Sequence, residues 1–218
     1  MRQERVTFPS GELSLEGVCH LSEVEGKDPV PAVVVCHPHP LYGGSMDTSV
    51  VFAVCLALSE QGIAALRFNF RGVGRSQGKL EGVGMAQDVS AALAFVASMK
   101  EVDAERLGVC GYSAGAIAAF SDIPLDPRIK AIAAISPPLG MATLGGLEDW
   151  PGPKFLIMGG MDNFTSPVDF ECFTEHLPEP KECHVIPNVD HFWWGYENEL
   201  GGNVASFFVK TLKESRED

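Results

Sequence analysis

Several kinds of segment are missing from this sequence. No stretch approaches the roughly 18 uninterrupted apolar residues that a membrane-spanning helix needs, so no membrane partner is expected. The N-terminal stretch MRQERVTFPSGEL contains no apolar segment of the secretory type. Only 6 cysteines occur in 218 residues, without a C-x-x-C pair, which disfavours both a disulfide scaffold and a zinc knuckle. These absences predict a protein of the reducing cytoplasm.

Positive charge is also scarce. The chain has 16 lysines and arginines against 29 aspartates and glutamates, a formal net charge of −13. Nucleic acids bind basic patches, so they are not expected partners. The apolar fraction of 45% is ordinary for a globular protein. We expect a single domain over residues 1–218; the sequence allows a homo-oligomer but contains nothing that indicates one.

Short apolar segments alternate with helical patterns along most of the chain. Val33–Cys36 and Ile132–Ile135 are apolar without alternation, as in strands that are covered on both faces. The first two strand-like segments, VTFPS and LSLEGVCHL, follow each other through a Ser-Gly turn and predict an antiparallel edge. The remaining β-α units predict an α/β fold with a mostly parallel, eight-stranded sheet and helices on both faces. Helices are predicted at Ser49–Gln61, Met85–Met99, Ala114–Ser121, Val168–Leu177 and Glu197–Glu214.

The segment GYSAG (residues 111–115) lies between a strand-like run and a helical run. In a parallel sheet, functional groups lie on loops that follow the carboxyl ends of the strands. A G-x-S-x-G motif in this context predicts a strained turn that exposes the Ser113 hydroxyl, with a helix N-terminus beside it. A serine that only caps the helix is the alternative, and Cys110 is a rival nucleophile. The flanking strand and helix favour Ser113.

A serine nucleophile needs a base, and the base needs a carboxylate that orients it. Asp162 and His191 each lie in a loop that directly follows an apolar strand-like segment. The candidate triad is therefore Ser113, Asp162 and His191, in that chain order. Asp190 is the second candidate for the acid, although a residue adjacent to the histidine seldom orients its ring well.

Taken together, these motifs resemble the α/β-hydrolase superfamily, most closely its small lidless bacterial members related to dienelactone hydrolases and carboxylesterases. The motifs are HPHPLYGGSMD (37–47), RFNFRGVGRSQG (67–78), GYSAG, GGMD (159–162) and DHFWWG (190–195). The resemblance implies an α/β-hydrolase fold and the triad named above. Larger members insert a lid where this chain has only Ser136–Gly152, so no cap domain is expected. The 67–78 segment is then a structural loop in which Arg71 bonds to neighbouring loops, and its incomplete glycine pattern predicts no dinucleotide cofactor.

The resemblance also implies that the HPHP loop (37–40) supplies half of an oxyanion hole, with Pro38 in place of the usual glycine. Prolines have no N–H group. The expected donors are therefore the backbone N–H of Ala114 and that of either His39 or Leu41. A metal site at this loop would need a third ligand at suitable spacing; the sequence offers no strong candidate, so no metal is expected.

The expected activity is hydrolysis of short-chain carboxylic esters through an acyl-enzyme, in an open site. A thioesterase, a lactonase or a peptide hydrolase would use the same triad. A ligand-binding relative without catalysis is the alternative from another class, but such proteins commonly lose a triad residue. The foremost candidates for substrate contact are Tyr42, Met161, Trp193 and Trp194; further candidates for the wall are Leu41, Met141, Leu144, Phe164 and Phe192.

Overall fold

The computed structural model of the protein describes residues 2–21, 28–80, 82–120, 126–142 and 144–213. Within these residues eight strands form one sheet in the order β1-β2-β4-β3-β5-β6-β7-β8. The strands are β1 (Arg2–Ser10), β2 (Leu13–Leu21), β3 (Val30–Cys36), β4 (Ala64–Phe68), β5 (Val102–Tyr112), β6 (Ile129–Ile135), β7 (Lys154–Gly159) and β8 (Lys181–Ile186). The helices are α1 (Ser49–Glu60), α2 (Gly82–Ala97), α3 (Ala114–Phe120), α4 (Gly145–Glu148), α5 (Pro167–Glu175) and α6 (Glu197–Leu212).

The first two strands form the antiparallel edge that their sequence pattern predicts. β1 pairs with β2 along their full lengths, and β2 pairs in antiparallel fashion with β4. Gly11 lies in the turn between β1 and β2 with φ +60°, a conformation that glycine adopts without a steric penalty. From β4 to β8 neighbouring strands are parallel. The predicted mostly parallel α/β sheet is confirmed.

Helices cover both faces of the sheet. In β5, Leu107 and Val109 belong to the core under α2 and α3, whereas Cys110 and Tyr112 belong to the core under α1 and α6. Successive side chains of a strand point to opposite faces, so a strand covered on both sides needs apolar residues at consecutive positions. This explains the unbroken apolar runs of the central strands.

The helix boundaries agree closely with the sequence pattern. α1 begins at Ser49 as predicted, and α2 begins three residues before the predicted Met85. The predicted ends at Ser121 and Glu214 lie outside the described residues. Between β6 and β7 the described residues form only the short helix α4 and no cap domain. None of the described helices combines the length and apolar character needed to cross a bilayer.

The loop after β4 is anchored by a buried ion pair. Asp88 on α2 is fully buried and accepts hydrogen bonds from the Arg71 guanidinium and backbone N–H. The same carboxylate accepts the hydroxyl of Ser10 at the end of β1. This network ties the edge strand, the loop and α2 together, which agrees with the expected structural role of Arg71.

Candidate active site

Ser113 lies on a strained turn between β5 and α3. Its φ of +54° falls in a region that residues other than glycine seldom adopt. A Cβ atom at Gly111 would lie 2.5 Å from the Cα of Ala116, and one at Gly115 would lie 2.4 Å from the carbonyl oxygen of Cys36. Both glycines are therefore required by close backbone approach, which gives the motif a steric explanation.

The structure brings the three predicted triad residues together. The Ser113 Oγ lies 2.9 Å from Nε2 of His191, and Nδ1 of His191 lies 2.7 Å from Oδ2 of Asp162. All three residues are buried. With the proton on Nδ1 donated to the carboxylate, Nε2 is free to accept the serine proton, which is the arrangement that a serine nucleophile needs.

The two aspartates near the base make different hydrogen bonds. Asp162 Oδ1 accepts the backbone N–H groups of the residues two and three positions after it, so its Oδ2 is left to face His191. Asp190 Oδ1 accepts N–H groups at the same spacing in its own loop. Asp190 therefore shapes the turn that carries His191, while Asp162 contacts the ring.

The loop of Asp162, after β7, and the loop of His191, after β8, are held against each other by close backbone contacts. A Cβ atom at Gly159, the last residue of β7, would lie 2.3 Å from the carbonyl oxygen of Val189. The N–H of Met161 donates to the same carbonyl at 2.8 Å. The glycines of the GGMD segment thus allow the loop after β7 to approach the loop after β8. Cys110, the rival nucleophile, is fully buried in β5, and burial raises the pKa of its thiol well above the usual value.

A cleft of about 330 Å³ opens above Ser113 and His191. Its walls are mostly apolar and aromatic, formed by Tyr42, Ile117, Met141, Phe164, Phe192 and Trp194. Among the described residues that line it, none is lysine, arginine, aspartate or glutamate. The cleft thus combines the Ser113 hydroxyl, which is hydrogen-bonded to His191, with an uncharged lining.

Not every expected wall residue reaches the cleft. Trp193 is only 1% exposed and lies in the core, where its indole N–H donates to the hydroxyl of Ser136 at 3.1 Å. Met161 is 61% exposed and faces solvent, and Leu144 is buried in the core on the α2 and α3 face of the sheet. The turn at Asp190, together with the φ of +61° at Trp193, directs Trp193 under the base loop. The expected substrate contacts of Met161 and Trp193 are corrected accordingly.

The two candidate donors of the oxyanion loop, the N–H groups of His39 and Leu41, differ in their hydrogen bonding. The Leu41 N–H donates to Nδ1 of His39 at 3.2 Å, and the Leu41 side chain is 84% exposed. His39 and Ala114 both line the cleft, and among the described residues neither of their N–H groups has an acceptor. Leu41 is therefore removed as a candidate donor, and the pair His39 and Ala114 is left.

His37 has a structural role instead of a chemical one. Its Nε2 accepts the backbone N–H of Phe70 at 3.2 Å, so its Nδ1 carries the proton and donates to the Pro38 carbonyl at 2.6 Å. Burial lowers the pKa of His37 to about 4. Both ring nitrogens of this neutral histidine are occupied. Within the described residues no group of three or more potential metal ligands is clustered.

Residues 27–150 match the protein family described as serine aminopeptidase, S33. This match covers more than half of the chain and includes the HPHP loop and the GYSAG turn. The chain belongs to this family of α/β-hydrolases. The family resemblance of its motifs is thereby confirmed, although the matched region ends before Asp162 and His191.

Other proteins are similar to this hydrolase over most of its length. An uncharacterised protein of Rickettsia prowazekii is 34% identical over 194 residues, which are 85% of this chain and 81% of that protein. An α/β serine hydrolase homologue from Coxiella burnetii has a TM-score of 0.83 at 28% identity, covering 94% of this chain and 97% of that one. A serine hydrolase without lid from Xanthomonas campestris has a TM-score of 0.83 at 27% identity, and the match covers 96% of this chain and 94% of that one. The matched part of the chain spans less than two thirds of the length of some other curated relatives.

Sequence reasoning missed one residue that supports the loop of His191. The buried hydroxyl of Tyr112 donates to the carbonyl oxygen of His191 at 2.9 Å. Burial, and then the negative charges of Asp162 and Asp190, raise the pKa of Tyr112, so it stays a protonated donor. The variable position directly before the serine thus links the nucleophile's turn to the base loop. The motif gives no signal for this, because the G-x-S-x-G pattern does not specify that position.

Replacing Tyr112 with phenylalanine is expected to lower kcat of this hydrolase and leave KM nearly unchanged. A hydrogen bond worth about 0.5–1.5 kcal/mol corresponds to a rate loss of about 2- to 12-fold if its loss misplaces the base. Tyr196→Phe is the matched control, because Tyr196 is exposed and does not line the cleft. Steady-state kinetics are measured on both variants, with thermal unfolding to check stability. A Tyr112→Phe variant whose kcat equalled that of Tyr196→Phe would contradict the role of Tyr112.

Proposed function

We propose that this α/β-hydrolase cleaves small, uncharged carboxylic esters through an acyl-enzyme on Ser113. The observation that carries the proposal is the hydrogen-bonded chain Asp162–His191–Ser113, which ends in an uncharged apolar cleft. Membership of a serine hydrolase family supports hydrolysis as the reaction class.

The geometry suits a two-step reaction. His191 Nε2 takes the proton of Ser113 as Oγ forms a bond to the ester carbonyl carbon. The carbonyl oxygen becomes an oxyanion that accepts the N–H groups of Ala114 and His39. His191 then protonates the leaving alcohol as the ester C–O bond breaks. A water molecule, deprotonated by the same ring, attacks the acyl group, and Ser113 leaves with its proton restored.

The lining favours esters over two charged substrate classes. A phosphate-bearing acyl thioester needs cationic partners, and the described lining contains no lysine or arginine. An aminopeptidase substrate carries an α-ammonium group that needs a carboxylate, and the described lining contains none. Tyr42, Phe164 and Trp194 instead offer apolar surface for an acyl or alkyl group. At about 330 Å³ the cleft is at the lower end of small-ligand sites, which favours short chains.

A substrate panel tests the proposal. The panel contains p-nitrophenyl esters from acetate to palmitate, acetyl-CoA, and an aminoacyl p-nitroanilide. We expect kcat/KM to be highest for the short esters and to fall with chain length, with little turnover of the two charged substrates. Labelling with a fluorophosphonate, in which a serine oxygen displaces fluoride, reports the nucleophile independently of the substrate.

Two outcomes would contradict the proposal. Faster turnover of the anilide than of any ester would favour a peptidase. No turnover across the panel and no fluorophosphonate labelling would favour a binding protein without catalysis.

A further inference from the structure

We propose that the His39 side chain is a positioning residue: it holds the turn that presents the backbone N–H of His39 to the oxyanion. The inference deepens the proposed function and rests on it, because an oxyanion forms only if Ser113 attacks a carbonyl. His39 precedes a 3-10 turn, Pro40–Tyr42, and has the extended backbone (φ −64°, ψ 128°) of a capping residue. Its Nδ1 accepts the N–H of Leu41 at 3.2 Å.

The capped N–H is the first one that the turn offers. Pro40 begins the turn and has no N–H group, so Leu41 carries the first donor that needs an acceptor. Within the part of the chain that the structure describes, its acceptor is the His39 ring. The bond fixes the side-chain rotamer of His39 relative to the turn that follows it.

The backbone of His39 is held from the other side as well. Its carbonyl oxygen accepts the N–H groups of Tyr42 at 3.0 Å and Gly44 at 3.2 Å. Together with the ring contact, three hydrogen bonds of one tight turn converge on a single residue. A donor held in this way needs no reorganisation when negative charge develops in front of it, which is the property that makes such donors effective.

The peptide unit that contains the His39 N–H is fixed at its other end. The oxygen of that unit is the Pro38 carbonyl, which accepts Nδ1–H of His37 at 2.6 Å. A Cβ atom at Gly44 would lie only 2.1 Å from this oxygen, so the turn folds back tightly onto it. In a trans peptide the N–H points opposite to the C=O. Because the oxygen is held by Nδ1–H of His37, the N–H points away from that histidine, and His39 lines the cleft.

Two substitutions distinguish the effect of the capping Nδ1 atom of His39 from the effect of its aromatic ring. His39→Phe keeps an aromatic ring for the edge contact with Tyr42, whose ring centroid lies 5.9 Å away, but removes the acceptor. His39→Asn removes the ring but keeps an acceptor at the same δ position, and asparagine is among the best capping residues. Both variants keep the backbone N–H. His176→Asn is the matched control, because His176 is exposed at the end of α5.

Two measurements are made on each protein. Steady-state kinetics with a short p-nitrophenyl ester give kcat and KM. The inhibition constant of an alkyl trifluoromethyl ketone reports the oxyanion hole without a leaving group. In that adduct Ser113 Oγ bonds to the ketone carbon, its proton passes to His191, and the ketone oxygen becomes the oxyanion.

For His39→Phe we expect kcat to fall about tenfold, less than the 10²- to 10³-fold typical when an oxyanion donor is removed. We expect KM to change little and the inhibition constant of the ketone to rise by a similar factor to the loss in kcat. His39→Asn is expected to recover most of both losses, and His176→Asn to behave as wild type. Melting temperatures check that each variant is folded.

Two results would overturn the inference. The first is a His39→Phe variant with the kcat and ketone affinity of wild type. The second is a His39→Asn variant as impaired as His39→Phe, which would show that an acceptor at the δ position does not restore the turn and that capping is not the cause of the loss. Failure of the proposed function is distinguishable from both, because the wild-type protein would then neither turn over the ester nor bind the ketone.

Discussion

Replacing Ser113 with alanine is expected to abolish ester turnover while the fold is retained. The variant loses the atom that forms the acyl bond in the proposed mechanism, and removal of a serine nucleophile typically lowers kcat by about 10⁶-fold. The backbone N–H of residue 113 still donates to the carbonyl of Ile135, a 2.8 Å hydrogen bond that the substitution does not touch. The measurements are turnover of p-nitrophenyl acetate, fluorophosphonate labelling and thermal unfolding.

Ser136→Ala is the matched control for this prediction. Ser136 is also a buried serine at the end of a strand, with a φ of +43°. Its hydroxyl accepts the indole N–H of Trp193 instead of contacting His191. The control is therefore expected to lose about 1 kcal/mol of stability, as for a lost neutral hydrogen bond, and to keep its labelling. Labelling or undiminished turnover of the Ser113→Ala protein would show that another residue is the nucleophile.

Replacing Asp162 with asparagine is expected to lower kcat by about 10⁴-fold, the effect of leaving a catalytic histidine in the wrong tautomer. Asp162 Oδ1 accepts two backbone N–H groups, and the amide oxygen of asparagine will keep that role. The amide NH₂ then faces Nδ1 of His191, which can only accept. The ring proton moves to Nε2, which can no longer take the proton of Ser113.

Replacing Asp190, the aspartate next to His191, is expected to have a much smaller effect on kcat. Asp190→Asn keeps an oxygen that can accept the two N–H groups of its own turn, so kcat is expected to fall by less than about tenfold, as for one weakened hydrogen bond. Steady-state kinetics on both variants decide between them. A larger loss for Asp190→Asn than for Asp162→Asn would assign the orienting role to Asp190.

The fold, and the clustering of Ser113, Asp162 and His191 at one edge of the sheet, could be predicted because they depend on regular structure. Apolar runs identify the strands, and the residues that directly follow parallel strands meet at one edge of the sheet. Ser113 directly follows β5, and Asp162 and His191 lie in the loops that follow β7 and β8, so the sequence places all three at this edge, while the turns of the two loops set their exact contacts.

The pocket and the oxyanion donor could not be predicted in the same way. Within a tight loop the direction of each side chain depends on individual φ values and on which acceptor captures each N–H. Trp193 points into the core because its backbone has a positive φ and its indole finds Ser136. Leu41 is excluded as a donor by a contact with the His39 ring. Neither fact follows from residue type or spacing.

The distribution of the triad along the chain has a consequence for biosynthesis. Ser113 and His191, the base in the proposed mechanism, are 78 residues apart, and His191 follows β8, the last strand among the described residues. A nascent chain that has left the ribosome only as far as α5 already contains the turn of Ser113 but not His191. Contacts between such distant parts form late, because closing long loops costs entropy before the contacts form. In the proposed mechanism, Ser113 therefore gains its base only after β8 has joined the sheet, late in folding.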